Sequence, residues 1–260
     1  MPDSQKANIW LSEEQVIDII TSKSIDGKSL LHYNFNLISS PFEIDESEKY
    51  IGYYVAKNIL RQDMGFEKNQ KPGDFDLLII PFSALRVYFE RTIATEVKVV
   101  RPTRQKPGRN SNSDGIEQTK GLIEDGFPLI SLFHIVMTEP LLESEKLQIK
   151  RTKVAANSGL KIDTENLENN FEDIKVDFFP WISTDLQMKR LITSDLPKYV
   201  SLQCLSIDID KDGRVSYSYP TNDLRFFEKG YFNPHNKSTT IKKIKKHFEN
   251  TPEKYEIQYI

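Results

Sequence analysis

Glu96 and Lys98 stand two positions apart in a run rich in threonine, isoleucine and valine, a composition typical of a β-strand. Side chains at positions i and i+2 of a strand point to the same face, so we expect both to project together, with Val97 buried behind them. Asp76 opens the preceding apolar run, 76–82. If the two runs pair as neighbouring strands, the three side chains converge at one sheet edge. Two carboxylates beside an amine form a site for a hard cation with a positive group next to it. These are the minimal functional groups for metal-assisted phosphodiester hydrolysis.

The segments that carry these residues alternate between helical and strand-like patterns. A helix is predicted over 45–64, where apolar residues recur at helical spacing and Gly65 follows as a stop. The next predicted elements are strands over 76–82 and 91–100, a helix over 115–125 ended by Gly126, and a buried strand over 128–137. This order predicts an α/β fold with a mixed central sheet flanked by helices.

Further elements are predicted on both sides of this region. A short helix over 10–20 has Ser12 as its N-cap and Gln15 near the capping-box offset. Asp212 and Gly213 lie between two alternating runs and indicate a hairpin turn. The remaining predictions are a strand over 30–38, a strand or core segment over 174–181, a helix over 185–192 and a basic amphipathic helix over 239–248.

Composition limits the class of protein. The chain has 260 residues, a formal net charge of −3 and one cysteine, Cys204, which excludes an internal disulfide framework. No apolar run approaches the roughly 18 residues of a membrane span. The first residues also lack the basic-then-apolar layout of a signal peptide. We therefore expect a cytoplasmic protein with no membrane partner.

The order of these residues and elements resembles the PD-(D/E)XK nuclease superfamily. In that family a helix, a three-strand meander, a second helix and a fourth strand form the core, and the motif residues lie on the second and third strands. Asp76 matches the motif aspartate, and Glu96 and Lys98 match the E-x-K that follows it. The resemblance covers roughly 45–137, although the strand before Asp76 is either 67–71 or absent. It implies a restriction-endonuclease-like core.

The resemblance implies a metal-dependent nuclease that hydrolyses phosphodiester bonds, with DNA as the expected substrate. Lys98 would assist the attacking water or stabilise charge in the transition state. Gln118, on the second helix, would orient the substrate or the lysine. Mg²⁺ (or Mn²⁺) would be the cofactor, with these expected ligands: Asp76, Glu96, the backbone carbonyl of Val97 and an acid on the first core helix, Glu46 or Glu48.

The domain organisation follows from the same resemblance. Residues 1–140 are expected to form the nuclease core with its N-terminal helices. Residues 141–260 match nothing in the family pattern, and are expected to complete the sheet or to form a substrate or dimer surface. A homodimer is one option, since many enzymes of this type cut both strands by pairing two active sites.

Positive charge is concentrated in two places despite the negative total. Four cations that would bind nucleic-acid phosphates follow immediately after the strand predicted over 91–100: Arg101, Arg104, Lys106 and Arg109. Their segment contains prolines, glycines and serines, which fits either an arm that orders on binding or an ordinary surface loop. The second concentration lies in 237–247. Either basic segment could instead be an ordinary solvent-exposed surface with no binding role.

Two alternatives to a nuclease stay open from the sequence. Glu96 and Lys98 would be ordinary surface residues if their strand lay at the edge of the sheet. The chain could also keep the fold as a catalytically silent module that binds a nucleic acid or a protein partner.

Overall fold

The computed structural model describes residues 11–25, 28–31, 50–68, 73–107, 115–152, 171–210, 213–218, 227–228 and 230–260. Four α-helices have both ends within these ranges: α1 Glu13–Thr21, α2 Ile116–Asp125, α3 Phe179–Ile192 and α4 Ser238–Asn250. No helix in the described part of the chain has the length and apolar character needed to cross a bilayer.

The strands form one large sheet and two small ladders. Their bounds are β1 Lys23–Ile25, β2 Lys28–Ser29, β3 Gly52–Ile59, β4 Phe75–Phe82, β5 Ile93–Val100, β6 Leu129–Val136, β7 Leu147–Thr152, β8 Phe171–Val176, β9 Ser201–Ile209, β10 Val215–Ser218, β11 Phe227–Glu228 and β12 Glu256–Tyr259. The large sheet runs in the order β10-β9-β6-β5-β4-β3-β12, with β11 also paired to β9. β1 pairs with β2, and β7 pairs with β8.

The large sheet is mixed, as predicted. β3, β4 and β5 form an antiparallel meander, and β5, β6 and β9 lie parallel to one another. The connection from β5 to β6 runs through α2, because parallel neighbours need a crossover. Gly126 ends α2 with a left-handed φ of 81°, which a glycine adopts without strain.

Helices cover both faces of the sheet. On one face, Val16, Ile17 and Ile20 of α1 join a buried apolar cluster with alternate residues of β3 to β6 and β9. On the other face, α2, α3 and α4 pack over the intervening residues of the same strands. The central strands are therefore buried on both sides, which explains why β6 is apolar along its whole length.

The helix predicted over 45–64 is wrong for the part that the structure describes. Gly52–Ile59 is a strand, held between β4 on one side and β12 on the other. Tyr53 and Val55 face the cluster that includes α1, and Ala56 faces the other. Because both faces are buried, apolar residues do not alternate with polar ones, and their spacing imitates that of a helix. β3 is the strand before Asp76 that the sequence did not show.

Most other elements appear near their predicted positions. The strands predicted over 76–82, 91–100 and 128–137 are β4, β5 and β6, and the predicted hairpin is formed by β9 and β10. The helix predicted over 239–248 is α4, and the one predicted over 185–192 is the second half of α3. The segment 174–181 contains the end of β8 and the start of α3. Leu30 and Leu31 are helical rather than extended, and 32–38 lies outside the described residues.

Candidate active site

β4 and β5 separate at the point where Asp76 and Glu96 face each other. Their pairing runs from Ile79 opposite Ile93 to Leu77 opposite Thr95. Continuing this register places Asp76 opposite Glu96, and directly opposed residues share a face of the sheet. Asp76 Oδ2 accepts a hydrogen bond of 2.7 Å from the Val97 N–H. The Asp76 carboxylate thus takes the place of a β4 carbonyl as the acceptor for β5.

Lys98 binds two carboxylates, one from this face of the sheet and one from α1. Its Nζ lies 2.8 Å from Glu96 Oε1 and 3.0 Å from Glu13 Oε1. Glu96 is almost fully buried, with 3% of its surface exposed, whereas 20% of the Lys98 side chain is exposed. The lysine therefore bridges a buried acid and an acid nearer to solvent.

Glu13 is the member of the site that the sequence did not reveal. It is the first residue of α1, whose start is fixed by a capping box between Ser12 and Gln15. The Ser12 side chain accepts from the Gln15 N–H, and the Gln15 side chain accepts from the Ser12 N–H. The capping box locates the helix start, but nothing local indicates that α1 packs against β5. The acids expected on a first core helix, Glu46 and Glu48, lie outside the described residues.

The electrostatics of the site follow from burial and from like charges. Burial raises the pKa of Asp76 to about 6. Burial, and then the charge of Asp76, raises the pKa of Glu96 to about 8. Burial alone would lower the pKa of Lys98, but Glu96, Asp76 and Glu13 together raise it above its usual value. The two carboxylates are therefore held close in a setting that resists two negative charges.

This donor set fits a hard divalent cation bound mainly by water and two carboxylates. One oxygen of Asp76 accepts a hydrogen bond from Val97, and one oxygen of Glu96 accepts one from Lys98. The second oxygen of each carboxylate is therefore left to coordinate a metal. Within the described residues, no three His, Cys, Asp or Glu side chains lie close enough to form a metal site by themselves. Mg²⁺ commonly keeps several waters and takes one or two protein carboxylates.

The other predicted site residues lie apart from this group or are already engaged. Gln118 is partly buried on α2, and within the described residues no hydrogen bond joins it to the site. The Arg101 guanidinium donates to the Leu11 carbonyl. Arg104 binds the Glu139 and Glu145 carboxylates at 3.0 and 3.1 Å. Lys106 is exposed, and Arg109 lies outside the described residues. A role for these cations in gripping phosphates stays a prediction.

Gly115, just before α2, packs directly on the site and should not tolerate a side chain. Its φ is +76°, and an added Cβ would lie 2.7 Å from Leu132 Cδ1 and 2.9 Å from Lys98 Cγ. We expect Gly115→Ala to lower the free energy of unfolding by about 1–3 kcal/mol, from backbone strain plus overpacking. Urea denaturation measures this. Gly65→Ala is the matched control, because its φ is +74° with no atom within 4 Å of the added Cβ. Equal losses in the two variants would show that Gly115 does not contact the site closely.

Asp76 and Glu96 should contribute a loss of stability to the metal-free protein as pH rises from about 4 to about 8. Asp76 and Glu96 have folded-state pKa values of about 6 and 8, above their ordinary values of 3.8 and 4.5. Between those limits the folded chain binds more protons than the unfolded chain, so raising the pH favours unfolding. Urea midpoints across this range in EDTA test the expectation. The variant Asp76→Asn/Glu96→Gln should have a flatter profile than wild type, and parallel profiles would contradict it.

Three predicted residues are thus brought together on one face, and Glu13 of α1 binds one of them, Lys98. Asp76 comes from β4, Glu96 and Lys98 come from β5, and Gly115 covers the aliphatic parts of the last two. No family model, curated protein or solved structure matches the chain.

Proposed function

We propose that this chain is a metal-dependent nuclease that hydrolyses phosphodiester bonds of DNA. The observation that carries the proposal is the group of Asp76, Glu96 and Lys98 on one face, where β4 and β5 separate. The order of elements gives further support. α1, the β3–β5 meander, α2 and β6 give the order helix, three strands, helix and strand, with the short β1–β2 ladder inserted between α1 and β3. The same order is found in the PD-(D/E)XK core that the sequence resembles.

Asp76 and Glu96 would hold the metal, each through the oxygen that it has not already used. The backbone N–H and C=O of one strand residue point to the same side. Since the Val97 N–H points to Asp76, its carbonyl faces the same gap between β4 and β5 and would complete the protein ligands. Bound Mg²⁺ or Mn²⁺ would polarise the phosphoryl oxygen and lower the pKa of an attacking water.

Lys98 would supply the positive charge beside the reacting phosphate. An ammonium group has three donors, and Glu96 and Glu13 use two of them. The third can hydrogen-bond a water or a phosphate oxygen. Glu13 would keep the ammonium group in place while Glu96 turns towards a metal. Its role is therefore to position Lys98, in the place where the family pattern has an acid on the first core helix.

A catalytically silent binding module is the second candidate, and one contact favours it. Lys98 already neutralises Glu96 at 2.8 Å, so a metal would have to displace or reorient this ion pair. If that cost is too high, the site is a structural charge cluster, and the fold serves to bind a nucleic acid or a protein.

Cleavage of supercoiled plasmid distinguishes the two candidates. Purified protein is incubated with plasmid in Mg²⁺, in Mn²⁺ and in EDTA, beside a Glu96→Gln variant purified in the same way to reveal contaminating nucleases. We expect metal-dependent nicked or linear product from wild type alone, with linear product indicating a paired cut by two copies. Intact plasmid in both metals would reject the nuclease proposal. A parallel incubation with RNA tests the choice of substrate.

A further inference from the structure

Helix α4 carries positive charge that the proposed active site does not use. Lys242, Lys243, Lys245 and Lys246 follow closely along it, and Glu249 is the only acid within the helix. Lys245 lies 3.7 Å from Glu249. In the described part of the chain, no carboxylate lies within 4.0 Å of the amino groups of the other three lysines. In a chain with a formal net charge of −3, this is a local excess of positive charge.

Two cations elsewhere in the described chain are compensated. Lys120 binds Glu117 and Asp195 at 3.2 and 2.7 Å. Arg104 is held by two glutamates, as described above. The positive potential of the described surface is therefore expected to be stronger at α4 than in the segment after β5, because paired charges contribute little to the field at a distance.

A groove runs beside these lysines. Its volume is about 560 Å³, and its lining includes Gln62, Asp63, Lys243, Lys246, Asn250 and Thr251. A groove of this size accommodates a small ligand or a nucleotide unit. The one acid in its wall, Asp63, is bound by Lys254 at 3.0 Å, so the polar groups that the groove offers an anion are chiefly amide and ammonium donors.

Two rings, Phe66 and Phe75, form a short aromatic layer between Lys243 and the strand that carries Asp76. Lys243 Nζ is 3.8 Å from the centroid of the Phe66 ring. The Phe66 and Phe75 ring centroids are 5.5 Å apart, and Phe75 directly precedes Asp76.

We infer that α4 and the turn at 62–65 form a binding surface for the sugar-phosphate backbone of a nucleic acid. The inference rests on the proposed function for the identity of the polyanion as DNA. The surface would bind without reading the base sequence, because lysines interact with phosphates as point charges. Neutralising the phosphates releases the counterions condensed on the nucleic acid. It is distinct from the cations after β5, for which the sequence predicted phosphate contacts.

Salt-dependent DNA binding without metal tests the inference. Fluorescence anisotropy with a labelled duplex in EDTA is measured for wild type and for Lys242→Ala/Lys246→Ala over a range of salt concentrations. We expect the variant to bind about 10-fold more weakly, with a log K against log salt slope smaller by about 2. Lys189→Ala/Lys198→Ala is the control, because both of its lysines are exposed but distant in sequence from α4. It should bind as wild type does.

The result separates this inference from the nuclease proposal. If wild type does not bind the duplex, or if the α4 variant keeps the wild-type affinity and slope, the inference is overturned even when plasmid is cleaved. If the α4 variant shows the expected loss but wild type cleaves nothing in any metal, the surface is supported and the nuclease proposal fails. Thermal unfolding of the variant should be unchanged, because Lys242 and Lys246 are exposed. An unchanged unfolding temperature excludes misfolding as the cause of weaker binding.

Discussion

Replacing Lys98 by alanine should lower the rate of metal-dependent plasmid cleavage by about 100- to 1,000-fold, the usual cost of losing one electrostatic group at a reacting phosphate. Lys98 Nζ is the only described cationic group that contacts both Glu96 and Glu13, at 2.8 and 3.0 Å. Its removal leaves Glu96 buried without a counter-charge. Lys98 lowers the pKa of Glu96, which burial and Asp76 raise to about 8, so its loss should raise that pKa further and make Glu96 a poorer metal ligand.

Two controls make the Lys98 result specific. Lys120→Ala removes a lysine of α2 that also binds two acids but has no contact with Glu96 or Glu13 in the described residues, and it should leave cleavage unchanged. Duplex binding in EDTA should survive in Lys98→Ala, since that variant keeps the lysines of α4. Cleavage at the wild-type rate by a folded Lys98→Ala protein would remove Lys98 from the mechanism.

Replacing Arg61 by alanine should lower the free energy of unfolding by about 3–5 kcal/mol, the range for breaking a buried ion pair. Only 1% of the Arg61 side chain is exposed, and its two terminal nitrogens donate to Asp125 at 2.6 and 2.7 Å. Its Nε also donates to the Glu67 carbonyl at 2.8 Å. The guanidinium lies 5.1 and 5.7 Å from the ring centroids of Phe66 and Phe75, so its loss also leaves a gap in the aromatic layer.

A double variant distinguishes the ion pair from general packing. Arg61→Met/Asp125→Leu removes both charges and fills much of the volume, so it should be markedly more stable than Arg61→Ala. Urea denaturation of wild type, of Arg61→Met, of Asp125→Leu and of the double variant gives the coupling energy between the two side chains. A loss below about 1 kcal/mol in Arg61→Ala would show that the ion pair adds little to stability.

Local signals in the sequence predicted the elements that depend on local chemistry. The Ser12–Gln15 capping box marks the start of α1, and Gly126 marks the end of α2 with a left-handed backbone. Gly213 takes a φ of +78° in the turn between β9 and β10, as an Asp-Gly hairpin predicts. In each case the responsible residues lie within a few positions of one another.

Features set by distant segments could not be read from the sequence in the same way. β3 has no polar face, so its pattern matched a helix as well as a strand. Glu13 and Lys98 are 85 residues apart, and only the packing of α1 against the sheet brings them together. The charge of Arg104 is compensated by Glu139 and Glu145, which follow β6 in the chain. A run of cations in sequence therefore overstated the free positive charge after β5.

Crystals soaked in Mn²⁺ test the shared metal site most directly, because the anomalous signal locates the ion independently of any assay. We expect one peak within coordination distance of the carboxylates of both Asp76 and Glu96, with Glu96 turned away from its ion pair with Lys98. If no peak lies between these carboxylates at saturating Mn²⁺, and Glu96 still binds Lys98, then the two acids do not share a metal.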